Sequence, residues 1–404
     1  MTFEIISLCS LLLLAYVFDI SASITKIPSI VLLLLTGWLV KQVAEYFGLQ
    51  IIDLRPLLPA LGTIGLILIV LEGSLELELN HYKKAIIRKS AIVSLFPMLL
   101  LSFLMAWAFA VYSGVDYKIA LVNAIPLAVI SSAIAIPSAK GLSKHNREFV
   151  IYESSLSDIF GVLFFNFIAL NAEITVYSFG NFGLQLVLML LVTFVATLLL
   201  AFLLGRIKHH VKFVPIIILI ILIYAISKVY HLPALMFILI LGLFLNNFQE
   251  MKKLKWINKL HPEILKREVN KFRELTAEAA FLIRALFFLL FGYSIATEDL
   301  LNSETIFWAE AIVIAIFTIR ALFLKISKLP LFPLLFIAPR GLITILLFFS
   351  ILPEQTLGLV NQSLVIQVIL LSALVLMTGM MWQKKESPAV NIPELNAKPE
   401  DSKI

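Results

Sequence analysis

The stretch IYESSLSDIFGVLFFNFIA, residues 151–169, decides the fold: it is long and apolar enough to cross a bilayer as a helix, yet it carries ionisable groups. An ionisable side chain at membrane depth costs about 2.5 to 3.5 kcal/mol on insertion scales. Ser154 and Asp158 are four residues apart and share one helix face with Ser157, and Glu153 lies beside them. A carboxylate flanked by hydroxyls offers the hard oxygen ligands that small cations need. The stretch predicts a cation site within the membrane; the alternative is a set of buried polar groups that joins two helices.

The composition is that of a membrane protein. The 404 residues are 61% hydrophobic and only 14% charged, whereas soluble domains are about 45 to 50% apolar and about 25% charged. The single cysteine, Cys9, excludes an intrachain disulfide and a cysteine metal cluster. The first twenty residues lack a basic start and a small-residue cleavage site, so we expect a retained first span rather than a signal peptide.

We expect an all-α polytopic protein with thirteen membrane spans, separated by proline, glycine and charge. The charged connection 249–274 is predicted to form an amphipathic interfacial helix, and the polar tail 383–404 a cytoplasmic disordered segment. The predicted spans lie near 3–19, 27–44, 56–77, 90–113, 118–140, 148–171, 181–204, 213–229, 233–248, 275–296, 304–325, 330–352 and 358–382.

The basic residues orient these spans. If the N-terminus faces outward, 25 of the 32 Lys and Arg residues fall in inward connections and 4 in outward ones. This bias is a strong positive-inside signal and places the C-terminus in the cytoplasm. The net charge of +6 is explained by this topology, so we expect no nucleic-acid partner.

Two spans carry internal breaks. The fifth reads AIPLAVISSAIAIPSAK, residues 124–140, with Pro126, Pro137 and the pair Ser131-Ser132. The twelfth reads PLFPLLFIAPRGLITI, residues 330–345, with Pro339 and Gly341 at its centre. Proline removes a backbone donor and frees a carbonyl, and unwound backbone at membrane depth must line a cavity or be buried. Two broken helices of opposite direction, seven spans apart, favour an inverted repeat with its site at the midplane.

Asp158 is the predicted site acid, because a buried carboxyl group can hold either a cation or a proton. Glu72, in the third span, is a second oxygen ligand or an end-of-span carboxylate. Arg340 could neutralise the carbonyl ends of the half-helices or pair with Glu153. Backbone carbonyls freed near the break of the fifth span, including those of Ile134 and Ala135, could supply neutral ligands.

Two further arginines lie inside spans. Arg284 is deep enough to need a partner, and since Glu278 is off its helix face we expect a structural role with no partner named. Arg320 lies near the inner end of its span and is expected to extend to the interface. The sequence contains no phosphate-binding loop and no H-E-x-x-H or G-x-S-x-G motif, which disfavours an ATP-driven pump and an intramembrane enzyme.

At these residues the chain resembles the monovalent cation/proton antiporters, in the sodium/proton exchanger branch of NhaP and NHE type. The resemblance extends over nearly the whole membrane part. The segments that carry it are TKIPSIVLLLLTGWL (25–39), LGTIGLILIVLEGSL (61–75), YESSLSD (152–158), FLIRALFFLLFG (281–292) and APRGLITILL (338–347).

This resemblance implies a site. The family pattern E-x-x-x-N-D falls on Glu153, Ser157 and Asp158, which makes Asp158 the ion- and proton-binding carboxylate. It implies Ser154 and Glu72 as co-ligands of Na⁺, and Arg340 as the ion-pair partner of Glu153. Two departures stand out: Ser157 replaces the family's Asn, and its Thr-Asp-Pro in the fifth span reads Ala135-Ile136-Pro137.

The resemblance also implies an assembly and a motion. It predicts a homodimer in which a core part (residues 86–172 and 304–382) moves like an elevator against a dimerisation part (residues 1–80 and 181–296). We expect an antiporter of the cell membrane, in contact with the lipid bilayer, that exchanges Na⁺ or Li⁺ for H⁺ electroneutrally and needs no cofactor. The alternatives are K⁺/H⁺ exchange, or an uncoupled cation channel or sensor that retains the fold.

Overall fold

The computed structural model describes residues 2–25, 27–48, 55–77, 83–171, 173–206, 209, 212–230, 232–248 and 262–382. Every regular element in these ranges is helical. The α-helices are α1 (Thr2–Thr25), α2 (Ser29–Tyr46), α3 (Leu58–Glu76), α4 (Lys84–Ser113), α5 (Tyr117–Ala128), α6 (Ser132–Ser138), α7 (Lys144–Leu170), α8 (Val176–Arg206), α9 (Phe213–Val229), α10 (Ala234–Asn247), α11 (Pro262–Ser294), α12 (Thr297–Leu300), α13 (Ser303–Ile326), α14 (Leu342–Phe349) and α15 (Gln362–Met381).

The predicted all-α membrane architecture is confirmed. Within the described residues, nine helices of at least 18 residues are apolar enough to cross a membrane, and three shorter apolar helices lie at Ile6–Ala22, Phe213–Val229 and Ala234–Asn247. The number of thirteen spans stays a prediction. The predicted disordered tail, 383–404, lies outside the described residues.

Short polar side chains fix where several helices begin. The Asp116 carboxylate accepts the backbone N–H of Lys118 at 2.8 Å and starts α5. In the same way Asn302 accepts from Glu304 at the start of α13, and Asn361 accepts from Leu364 at the start of α15. Such caps satisfy the free N–H groups of a first helical turn. They fix the residue at which each helix begins.

The helix α11 corrects one prediction. It runs for 33 residues without interruption from Pro262, whereas the sequence suggested an interfacial helix over 249–274 followed by a separate span. Residues 249–261 lie outside the described ranges. Leu265, Val269 and Phe272 are buried at helical spacing and continue the packed face of the span, so the charged first part of α11 extends the span itself.

The helices pack in two groups. A scaffold group contains α1–α3 and α8–α11, in which α11 packs against α2, α3 and α8, and α10 packs against α3, α8 and α9. A core group contains α4–α7 and α13–α15, in which α4 packs against α5, α7 and α13, and α14 against α5 and α7. The helix α3 borders both groups, because it also contacts α6, α7 and α14.

Glycines allow the closest contact in the scaffold group. A Cβ atom on Gly37 of α2 would overlap the carbonyl oxygen of Leu289, and one on Gly292 of α11 would overlap that of Leu34. The two helix backbones therefore touch. In a membrane no hydrophobic force drives helices together, because lipid tails are as apolar as their side chains. Small residues at a helix contact therefore promote association by letting the backbones pack closely.

Candidate ion-binding site

Two interrupted helices of the core group meet at their breaks, and this meeting point is called the crossing. The helix α5 ends at Ala128 and α6 begins at Ser132, while the segment before α14 is non-helical from Ile337 to Gly341. The Ser131 N–H donates to the carbonyl of Pro339 at 2.9 Å, so the two breaks are hydrogen-bonded to each other. The predicted interruption of both spans is confirmed. Its position in the fifth span differs, because Pro137 lies inside α6 and the break occupies residues 129–131.

Arg340 stabilises the broken end of α5. Its guanidinium donates to the carbonyls of Leu127 at 2.8 Å and Ala128 at 2.9 Å, the last two residues of that helix, and to the carbonyl of Ala338 at 2.7 Å. A helix C-terminus has carbonyls without intrahelical partners and carries a partial negative charge. Arg340 thus supplies both the donors and the compensating charge.

The predicted ion pair between Glu153 and Arg340 is wrong. The partner of Glu153 is Arg320 of α13, whose two terminal nitrogens reach the carboxylate oxygens at 2.6 and 2.9 Å. Its third donor binds the carbonyl of Leu334 at 2.8 Å. Both side chains are buried, so Arg320 does not extend to the interface as expected. Arg340 donates to the carbonyls at the break instead, and Arg320 binds Glu153.

A sequence signal for Arg320 exists. It lies six residues before the end of α13, or about 9 Å along the helix axis at about 1.5 Å per residue. A cation at that depth is stabilised by an acidic partner inside the bundle. Glu153 is an acid that the sequence places within a membrane span.

Asp158 lies at the crossing, with none of its surface exposed. The Ser132 hydroxyl donates to its Oδ2 atom, while Oδ1 has no hydrogen-bond partner among the described residues. The Ser157 hydroxyl accepts the Ile130 N–H at 3.0 Å and so ties the break of the fifth span to α7. One carboxylate oxygen is therefore hydrogen-bonded, and the other is buried without a partner in the described part of the chain.

The hydroxyl of Ser154 is used within its own helix, where it donates to the carbonyl of Val150 at 2.8 Å. The buried hydroxyl oxygens of Ser131 and Ser155 have no hydrogen-bond partner in the part of the chain that the structure describes. Sequence reasoning named the pair Ser131-Ser132 but did not single out Ser155 as a ligand. The pattern of hydroxyls was visible, but which of them were already bonded was not.

The carbonyls of Ile134 and Ala135 are not freed by a break, which corrects that expectation. Both residues lie within α6: the Ile134 carbonyl accepts the Ser138 hydroxyl at 2.8 Å, and the Ala135 carbonyl accepts the Ala139 N–H. The non-helical backbone lies one turn earlier, at Val129 and Ile130. The residues at the break are therefore apolar or hydroxyl-bearing, and none of them is acidic.

Glu72 approaches Arg284 of α11, with a distance of 3.9 Å between the carboxylate and the guanidinium. This contact supplies the partner that the sequence left unnamed, and it lies within the scaffold group. The next residue, Gly73, faces the Ser155 hydroxyl, so α3 borders the site. A ligand role for Glu72 stays a prediction.

The family model for the sodium/hydrogen exchanger transmembrane region matches residues 9–384. The chain belongs to the sodium/hydrogen exchanger family. Members of this family are multi-pass membrane transporters, so the prediction of a transporter that is not an enzyme is confirmed.

Solved structures agree on the fold. Two structures of the sodium proton antiporter MjNhaP1 from Methanocaldococcus jannaschii match at 18% identity, with TM-scores of 0.62 and 0.69. The first match covers 94% of this chain and 95% of the antiporter, and the second 95% and 96%. A comparison with curated protein sequences gave no match. The exchanger architecture thus extends over nearly the full chain.

Proposed function

We propose that this member of the exchanger family is an antiporter that moves Na⁺ (or Li⁺) out of the cytoplasm in exchange for H⁺, with Asp158 as the shared binding group. One observation carries the proposal: Asp158 is fully buried beside the crossing and has one carboxylate oxygen without a hydrogen-bond partner among the described residues. The three arginines that are buried in the described part of the chain bind other groups: Arg320 binds Glu153, Arg340 binds carbonyls and Arg284 binds Glu72. The acid is therefore not neutralised by a permanent ion pair with any of them.

Exchange follows from competition at this carboxyl group. A bare carboxylate in an apolar medium carries a large desolvation cost, which either a proton or a cation removes. Only the neutralised site then crosses the barrier between the two aqueous sides. Since one carboxylate titrates and Glu153 stays paired with Arg320, one cation exchanges for one proton, and transport is electroneutral.

The grouping of helices supports an elevator mechanism. The crossing lies wholly in the core group, and only a few helices, chiefly α3, connect that group with the scaffold group. Movement of the core group as a unit would carry Asp158 between the two sides. The resemblance further supports a homodimer formed by the scaffold group. The excess of inward basic residues supports a cell-membrane protein whose C-terminus faces the cytoplasm.

The decisive experiment compares the wild type with Asp158→Asn in proteoliposomes, using a pH-sensitive dye and gradients of Na⁺, Li⁺ and K⁺. The amide binds neither a proton nor a cation as a carboxylate does, so exchange should be abolished while the protein stays folded in size-exclusion chromatography. The exposed carboxylate variant Glu304→Gln is the matched control and should exchange normally.

The same assay separates the alternatives. Faster proton flux with a K⁺ gradient than with a Na⁺ or Li⁺ gradient would indicate K⁺/H⁺ exchange. Cation flux that ignores an opposing proton gradient would indicate an uncoupled channel, and no flux in the wild type would indicate a sensor. Sodium-dependent proton flux retained by Asp158→Asn would refute the assignment of Asp158.

A further inference from the structure

Among the described residues, the buried hydroxyls of Ser131 and Ser155 have no hydrogen-bond partner. We propose that they bind the transported cation together with the Oδ1 atom of Asp158. This inference rests on the proposed function and deepens it, because it assigns the ligands that distinguish a cation from a proton.

The first support is hydrogen bonding. Buried polar atoms in proteins are nearly always bonded, so an unpartnered one needs an explanation. The Oγ atoms of Ser131 and Ser155 and the Oδ1 atom of Asp158 are all buried without a partner among the described residues. The hydroxyls of Ser132 and Ser154 nearby are engaged, with Asp158 and with the Val150 carbonyl.

The second support is placement. Ser131 directly precedes Ser132, whose hydroxyl binds Asp158. Ser155 lies three residues before Asp158 on α7, a spacing that puts both on adjoining positions of one helix face. The two serines thus belong to the two elements that meet at Asp158, the break of the fifth span and α7.

The third support is the space beside each hydroxyl. A Cβ atom on Gly341 would lie 3.0 Å from the Ser131 Oγ atom, and one on Gly73 would lie 3.5 Å from the Ser155 Oγ atom. A side chain at Gly341 would crowd the Ser131 hydroxyl, whereas the Ser155 hydroxyl lies at ordinary contact distance from the Gly73 position. The two glycines belong to different groups, the core-group break and α3 of the scaffold group.

The chemistry separates the two substrates. A cation must replace its hydration shell with oxygen ligands, and hydroxyls are neutral hard donors suited to Na⁺ and Li⁺. A proton on Asp158 needs no such shell. Two neutral hydroxyls also leave the cation-loaded site with the same net charge as the protonated site, as electroneutral exchange requires.

The test measures the KM for Na⁺, Li⁺ and K⁺ over a range of pH in proteoliposomes, for Ser131→Ala and Ser155→Ala. Each variant should raise the KM for Na⁺ about tenfold, since a hydrogen-bonding partner of an ion contributes about 1.5 kcal/mol or more. The factor should be the same at every pH, because proton binding is untouched, and it should differ among the three cations. The control Ser102→Ala removes a buried hydroxyl bonded within α4 and should leave the KM unchanged.

The outcomes are distinct. A wild type without exchange would contradict the proposed function. A wild type that exchanges, together with serine variants of unchanged KM, would overturn this inference alone. A rise in KM that is equal for all cations and alters the pH dependence would also overturn it, because it would indicate a displaced Asp158.

A second measurement covers variants that fold but transport too slowly. Na⁺ or Li⁺ that binds the folded protein raises its melting temperature, so Ser131→Ala and Ser155→Ala should lose this stabilisation while Ser102→Ala keeps it. Retained stabilisation would overturn the inference. A variant that fails to fold is replaced by the serine-to-cysteine form, which keeps the side-chain size but offers a soft sulfur in place of a hard oxygen.

Discussion

At the scale of single residues, the ion pair with Arg320 prevents Glu153, one of the two buried acids of α7, from binding the transported cation or proton. The pair is bidentate and desolvated, and its third donor ties it to the turn at Leu334. A charge left alone at this depth has no water to solvate it. The ion pair therefore separates a structural acid from Asp158, five residues further along the same helix.

The variants Glu153→Gln and Arg320→Gln should each lower the free energy of unfolding by about 3 to 5 kcal/mol, because each leaves an uncompensated buried charge. The melting temperature in detergent checks this. The double variant Glu153→Gln/Arg320→Gln should be more stable than either single variant, since it leaves no lone charge. Single variants as stable as the wild type would contradict the pairing.

Competition at Asp158 predicts a pH dependence. As the pH falls, more of the carboxyl group is protonated, so the apparent KM for Na⁺ should rise, approaching about tenfold per pH unit where the protonated form dominates. The maximal rate at saturating Na⁺ should change much less. The measurement is a series of Na⁺ titrations at several pH values, and a KM that stays constant as the pH falls would contradict competition.

At the scale of elements, the crossing depends on how two broken helices end. The helix α5 stops at Ala128 with carbonyls that only Arg340 satisfies in the described contacts, and the backbone of Ser131 is held by Pro339. Arginine presents several donors in a fixed plane, which a lysine cannot reproduce. The geometry of the site therefore follows from a side chain that touches neither Asp158 nor its hydroxyl partner in any described hydrogen bond.

We expect Arg340→Lys to keep the charge but lose most of the carbonyl contacts, and Arg340→Gln to lose both. Each buried carbonyl left without a donor costs about 1 to 3 kcal/mol. The melting temperature and the exchange rate should therefore fall in the order wild type, lysine variant, glutamine variant. The exposed Arg88→Lys is the control. Equal behaviour of wild type and lysine variant would show that charge alone suffices.

At the scale of the whole molecule, two ion pairs among the described residues connect the core group with the scaffold group. Arg147 of α7 binds Glu76 of α3 at 2.7 Å, and Lys140 binds Asp19 of α1 at 3.6 Å. Both lie on the side predicted to be cytoplasmic. A cavity of about 320 Å³, lined by Leu66, Phe165 and other residues of α3, α7, α9, α10 and α14, separates the groups elsewhere.

The variant Glu76→Gln should favour opening of the two groups on the cytoplasmic side. Because Arg147 is 39% and Glu76 32% exposed, the pair contributes at most about 1 kcal/mol, or about a fivefold change in populations. The readout is the reaction rate of Ser138→Cys, in the cavity between α1, α2 and α6, with a membrane-impermeant thiol reagent.

This measurement uses a Cys9→Ser background, since Cys9 is exposed. The rate should rise by up to about fivefold with reagent on the cytoplasmic side and stay constant in the Glu304→Gln control. A lower rate in Glu76→Gln would contradict the role of the ion pair in closing that side.

The sequence by itself determined the membrane class, the two interrupted spans, the buried acid Asp158 and the exchanger family. These follow from properties of single segments: the hydropathy of a span, a proline within it, and a carboxylate inside an otherwise apolar span. It also predicted that Arg284 needed a partner, because a charge at that depth must be compensated, and it left Arg340 with two candidates, the half-helix carbonyls and Glu153.

Only the tertiary structure decided which partners they have. Glu153 and Arg320 are 167 residues apart in the chain, and the choice between Arg320 and Arg340 depends on the rotation and depth of helices from distant segments. The position of the break at residues 129–131 rather than at Pro137, and the unused hydroxyls of Ser131 and Ser155, were decided in the same way. A hydrogen bond has a narrow range of distance and angle, so packing, and not composition, selects which polar groups meet.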